Sequence, residues 1–321
     1  MDPVRDALIA GVLPGAIAAF ALVVAGVALA LVHGPLLPTD RNPSPNTAFE
    51  RVLIAIATLA VGGGVLLSMR WLEPYPGWWP LNIPGRVPAL VGIGVIVSSV
   101  VAAGPGRWWF AMPVCVLGAG VISHGVRGPL AGDASPWLAV ALDALIIGVP
   151  AFLVQYLVNR VAAGDRSLLV RPLPLLALAL AILPIPALIF VSGQSVSARQ
   201  FGTLVAVLTA SAIALALLGG SRGRLALRGI GVLVVMTIGV WMLIVSTLAI
   251  HLLSPVAAVL LIASCVGAGF VGWILPRLKR WWTPVLLTLL LVGGPIVAAT
   301  VVQYQGIERD EAGGSPADYG Y

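Results

Sequence analysis

The chain predicts an all-α, polytopic integral membrane helix bundle, and three observations carry that prediction. Sixty per cent of the 321 residues are hydrophobic and only 9% are charged, against roughly 25% charge in soluble globular domains. Mean hydropathy is +1.05. The apolar residues are gathered into ten long runs, where a soluble domain would show short alternating or amphipathic ones.

A hydrocarbon core about 30 Å thick takes about 20 apolar residues of helix. Runs near that length stand at 7–32, 49–69, 87–103, 108–126, 136–159, 173–191, 201–218, 226–252, 255–274 and 284–304. Backbone polar groups in hydrocarbon must be paired within each segment, and runs this long exceed barrel strands, so about ten transmembrane helices are expected. The first run competes with a cleaved leader. Asp2, Arg5 and Asp6 give the residues before it a charge of −1, where a secretory signal carries positive charge, so it is read as a helix. Residues 1–305 then form one transmembrane domain. The tail 306–321, acidic through Glu308, Asp310, Glu311 and Asp318, reads as disordered.

Between the runs, 33–47 is rich in Pro, Asn and Ser and reads as irregular. The stretch 70–88 holds three Trp, one Tyr and five prolines; it reads as an interfacial anchor on the membrane surface, with a lid or a lipid- or glycan-contacting platform as the sharper alternative. Trp281 and Trp282, beside Arg277, Lys279 and Arg280, make a matching belt on the opposite side.

Basic residues set the expected orientation, because positive loops stay cytoplasmic. Alternate loops place twelve on one side: Arg41, Arg51, Arg107, Arg160, Arg166, Arg171, Arg222, Arg224, Arg228, Arg277, Lys279 and Arg280. The other side has six: Arg5, Arg70, Arg86, Arg127, Arg199 and Arg309. Both termini then lie outside. The net charge of +6 suits anionic lipid headgroups, and the chain lacks the basic soluble face that nucleic-acid binding needs. Seventeen of eighteen basic residues are Arg, a bias that points to a high-GC bacterial genome and hence to the bacterial inner (cytoplasmic) membrane.

Collinear echoes between the two halves raise an inverted duplication, with 1–165 and 166–305 as the repeats. Leu13-Pro14 with Phe20 returns as Leu183-Pro184 with Phe190; Gly92-Ile93-Gly94-Val95 as Gly229-Ile230-Gly231-Val232; Cys115-Val116 as Cys265-Val266; and Gly148-Val149-Pro150 as Gly293-Gly294-Pro295. Five spans per repeat would oppose the halves, an arrangement frequent in secondary transporters, whose sites lie where interrupted helices meet. Pro150 and Pro295, like Pro184 and Pro186, each release the carbonyl four residues earlier. Those carbonyls could bind cations or water, or be satisfied by neighbouring helices.

Asp143 is the one acid in the interior of a run. Placing it there costs about 2.5–3.5 kcal/mol on insertion scales. It is the first candidate for a substrate- or proton-binding group, with a structural acid bonded to a neighbouring hydroxyl as the plainer reading. Aligning the two halves sets Asp143 opposite Thr288. Gln155 and Asn159, four apart, share a helix face. Other buried polar candidates are Ser98, Ser99, Thr209, Ser211, Thr237, Ser264 and Thr300. Gly62-Gly63-Gly64 and Gly267-Ala268-Gly269 permit close helix approach.

Cys115 and Cys265 lie in apolar runs and read as small hydrophobes. His33, His124 and His251 lack ligand spacing, and no Walker loop, dinucleotide fingerprint, GxSxG, HExxH or CxxC occurs, so no metal or cofactor is expected. The leading functional expectation is a permease for a small solute or lipid-like substrate, proton-coupled through Asp143, with Thr288, Gln155, Pro150 and Pro295 near its path. One alternative is a non-catalytic subunit or assembly factor partnered with other membrane subunits. Another is a membrane-embedded enzyme acting on a lipid-linked substrate, using His124, Arg127, Asp133, Asp143 and His251 at the outer face.

Overall fold

The computed structural model describes residues 13–33, 47–72, 86–130, 135–161, 173–183, 195–218, 227–248, 254–274 and 282–313. Every regular element among them is helical. In chain order these are α1 (Leu13–His33), α2 (Ala48–Leu72), α3 (Val87–Ala103), α4 (Trp108–Arg127), α5 (Trp137–Val161), α6 (Leu173–Ile182), α7 (Ser195–Leu218), α8 (Ile230–Leu248), α9 (Pro255–Ile274), α10 (Trp282–Thr288) and α11 (Gly294–Gly313). A π turn, Leu289–Gly293, runs α10 into α11.

Five helical stretches are long and apolar enough to cross a membrane: Leu13–Val32, Ala48–Arg70, Trp108–Leu130, Trp137–Leu157 and Val285–Gln305. The chain is therefore a multi-pass membrane protein. Apolar stretches in α3, α7, α8 and α9 are shorter. The expected bounds of the third and ninth runs coincide with α3 and α9. The last helix continues to Gly313, well into the stretch read as a disordered tail. Glu308, Arg309 and Glu311 are favourable helix residues, and a helix already nucleated by α11 extends through them at little cost. Residues 314–321 lie outside the described residues.

Local chemistry explains several helix starts. At α2, Thr47 Oγ1 accepts from the Glu50 N–H at 3.2 Å while Glu50 Oε2 accepts from the Thr47 N–H at 3.1 Å, a reciprocal cap that satisfies two of the donors a helix start leaves open. At α9, Ser254 Oγ accepts from the Ala257 N–H, and Gln303 of α11 accepts from the Ser254 N–H at 2.8 Å. That second bond ties the last helix to the start of its neighbour.

The helices close into a ring. Each of α1, α2, α3, α4 and α5 packs on the next; α5 packs on α9, α9 on α6, α6 on α7, and α7 on α1. α8 stands inside, against α3, α4, α5 and α9, and α11 lies on α9. Every residue from 227 to 244 is buried. Lipid offers apolar groups no solvent penalty to escape, so such a core depends on close packing through small residues. A Cβ on Gly239 would stand 2.5 Å from Ile147, and one on Gly62 would stand 2.4 Å from Val95. Gly64 faces α1, and Gly267 and Gly269 face the π turn and α5, so both glycine-rich patterns are helix contacts. The outward face is apolar, with Phe20 73% and Leu138 77% exposed, as a lipid-facing surface requires.

Candidate functional site

Asp143 lies six residues into α5 from Trp137, about 9 Å along the axis. Gly148 explains how closely α4 approaches it, since a Cβ there would stand 2.6 Å from Val116 Cα and 2.9 Å from the Cys115 carbonyl oxygen. Side chains lean toward the N-terminus of their own helix. In this antiparallel hairpin Asp143 therefore leans toward the end where α5 begins, and Arg127, in the last turn of α4, leans inward from that end. They meet. Arg127 Nε donates to Asp143 Oδ2, and Arg127 Nη2 to Oδ1 at 3.2 Å. Ser123, one turn before Arg127 on the same face, donates to Oδ2 at 2.7 Å. The carboxylate side chain is 7% exposed and the guanidinium 28%. The cation also sits where the α4 dipole is negative.

Around this pair the same end of the bundle is polar and aromatic. His124 stacks on Trp137 with ring centroids 5.1 Å apart and planes 2° from parallel. Arg86, at the start of α3, donates to the Gly125 carbonyl at 3.4 Å, which supplies a partner to one of the last carbonyls of α4. His124, Arg127 and Asp143 of the outer-face candidates are thus brought to one hairpin end. Asp143 is bonded to Ser123 and Arg127, and His124 is engaged with a ring. Asp133 and His251 lie outside the described residues, as does most of the Trp- and Pro-rich stretch.

The helix interruption before Pro295 packs closely on α9. Thr288 ends α10, the π turn follows, and Pro295 is the second residue of α11. The Leu291 carbonyl, released by Pro295, comes to 2.2 Å from where a Cβ on Gly267 would stand, and Ser264 Oγ donates to the Val292 carbonyl at 3.0 Å. Pro150 lies inside α5. Gln155, six residues before the end of that helix opposite to Asp143's and buried, borders the first turn of α8, its N–H nitrogen 3.1 Å from the Cβ position of Gly231. Ser99, Thr209, Thr237 and Thr300 each bond the carbonyl four residues earlier, as hydroxyls in apolar helices commonly do.

Two residues escaped the sequence reading. Ser123 had a usable signal, being four residues from Arg127 and so on its helical face. Arg228 was assigned to a basic loop, yet it is 3% exposed. Its own run, 226–252, already contained it. No group of three His, Cys, Asp or Glu side chains able to hold a metal occurs among the described residues. No protein-family model, curated protein or solved structure matches the chain.

Proposed function

We propose that the chain is a multi-pass membrane permease for a small solute or lipid-like substrate, with the Arg127–Asp143 pair as its movable polar contact. The observation that supports this reading is a charged pair bridging two helices inside an apolar span. Ionisable groups at such depth are costly and characteristically line ion or substrate paths. Arg127 keeps partial exposure, so the pair can be reached from its end of the bundle. Proton coupling would act here by neutralising Asp143 and releasing Arg127. The reading takes ten spans as the full count, both termini outside and a bacterial inner membrane. The case for an inverted duplication stays with the collinear sequence echoes, since α3 is a member of the ring and α8 stands inside it.

The full-length protein in proteoliposomes, with a trapped pH dye and a panel of small solutes outside, tests this. Solute-dependent flux above empty vesicles, lost in Asp143→Asn while insertion is unchanged, is the expected result. Flux equal in wild type and Asp143→Asn would remove Asp143 from the mechanism. A second reading, a non-catalytic subunit or assembly factor, draws on the close packing of α8. It predicts no flux for any solute and co-purification with defined membrane partners.

A further inference from the structure

We propose that Arg228, two residues ahead of α8, is a binding site for a phosphate-class oxyanion, free or carried on a lipid headgroup. Its Nε and Nη1 are buried and have no hydrogen-bond partner among the described residues. The residue as a whole is 3% exposed. A guanidinium cannot shed its charge in a protein, and a buried charge without a partner is among the costliest arrangements a fold can hold. The arrangement calls for an anion.

The backbone shows that Arg228 is held in place and not merely folded back from a loop. Thr58 Oγ1 shares its one proton between the Ile54 carbonyl at 2.9 Å and the Arg228 carbonyl at 3.2 Å, and Ser98 Oγ donates to the Gly229 carbonyl at 2.6 Å. Thr58 is ten residues into α2, about 15 Å along its axis, so this turn sits well below the end of the bundle. Gly229 adopts φ +91°, and Ala102 Cβ lies 2.9 Å from its Cβ position. Ala102 joins Leu29 and Ile54 in a fully buried apolar cluster beside it. Immediately after the turn, α8 begins. A helix start carries partial positive charge, but Ile230 gives its N–H to the Leu227 carbonyl and Leu233 to the Gly229 carbonyl, so the attraction for an oxyanion rests chiefly on Arg228. Guanidinium pairs with phosphate oxygens by charge-assisted hydrogen bonds, the strong class.

The site stands apart from the Arg127–Asp143 pair and from whether the chain moves a solute. Its test is a thermal-unfolding titration of the full-length, delipidated protein in detergent. Sodium phosphate is compared with sodium chloride at equal ionic strength, and phosphatidylglycerol with phosphatidylcholine. A ligand that binds only the folded state raises Tm saturably. Such a rise is expected with phosphate or phosphatidylglycerol, lost in Arg228→Gln, and with half-saturation weakened about tenfold in Arg228→Lys, which keeps the charge but not the planar guanidinium. A rise with phosphate identifies a free anion site; a rise with phosphatidylglycerol alone identifies a headgroup site. The proposal is overturned if neither raises the wild-type Tm beyond its control, or if the rise persists undiminished in Arg228→Gln. Should Arg228→Gln fail to fold, an undiminished rise in Arg228→Lys overturns it equally.

Discussion

Arg127 engages both carboxylate oxygens of Asp143 across the α4–α5 hairpin, with Ser123 donating to Oδ2 from one turn away. Removing one member of a buried pair strands the other, whereas replacing both with apolar groups does not. Asp143→Leu should therefore lower stability by about 1–3 kcal/mol, less than a fully buried pair would cost because Arg127 is partly solvated. The double variant Arg127→Met/Asp143→Leu should recover most of that loss. Thermal unfolding of the four members of the cycle reads the coupling. Strictly additive losses would mean the pair contributes nothing.

Gly148 makes the meeting possible, because only a residue without a side chain lets α5 lie on the α4 backbone at Val116. In Gly148→Ala the added methyl meets backbone, which cannot rotate away as a side-chain tip can. The hairpin should open, at about 1–3 kcal/mol for the overpacking, and Asp143 should move off Arg127. Gly63→Ala is the matched control, since nothing lies within 4 Å of its Cβ position; it should be neutral or stabilising by about 0.4–1 kcal/mol. Equal gain in both variants would show that helix propensity, not contact, decides.

The helices were legible because their signal is bulk composition over about 20 residues, which no tertiary contact can override. Val87–Ala103 has Pro88 in its first turn and Gly104 just past its end, and Pro255–Ile274 opens on proline, where those apolar runs begin or end. Pairing was not legible. Asp143 gave notice of itself as a lone acid, yet whether it met a hydroxyl, a cation or water depended on which helix lay against α5. That in turn rests on Gly148, one glycine among 37. Arg228 was misplaced for a related reason: counting charges by loop assumes that every loop residue is solvated, and the Leu227–Gly229 turn is drawn inside by Thr58 and Ser98. Nor does an apolar helix announce that it will be surrounded; α8 differs little in composition from α9, which faces outward in part.

The same two hydroxyls offer a separable prediction. Ser98→Ala removes the 2.6 Å bond to Gly229; the carbonyl keeps the Leu233 N–H at 3.0 Å, so the loss is that of one hydrogen bond, about 0.5–1.5 kcal/mol. Gly229→Ala should cost more. It combines a left-handed backbone angle with a Cβ 2.6 Å from the Ser98 carbonyl oxygen, and the first term alone is about 1–2 kcal/mol. Amide hydrogen exchange at the start of α8 should rise in both variants. Unaltered exchange there, with normal overall stability, would show that the turn is not held by these contacts.

Orientation links the two charged sites. On the proposed count of ten spans, eleven basic residues remain on one set of loops once Arg228 is taken inside, against six on the other, and the positive-inside rule would then put Arg127 and Asp143 in the outer half and Arg228 in the inner half. A phosphatase fused after Tyr321 should then be active in intact cells, and a fluorescent protein at the same place dark. The reverse pattern would turn the molecule over: the Arg127–Asp143 pair would face the cytoplasm, and an oxyanion at Arg228 would have to come from outside. In the first orientation a headgroup at Arg228 would come from the inner leaflet, and a lipid-dependent Tm rise should accompany the active phosphatase fusion.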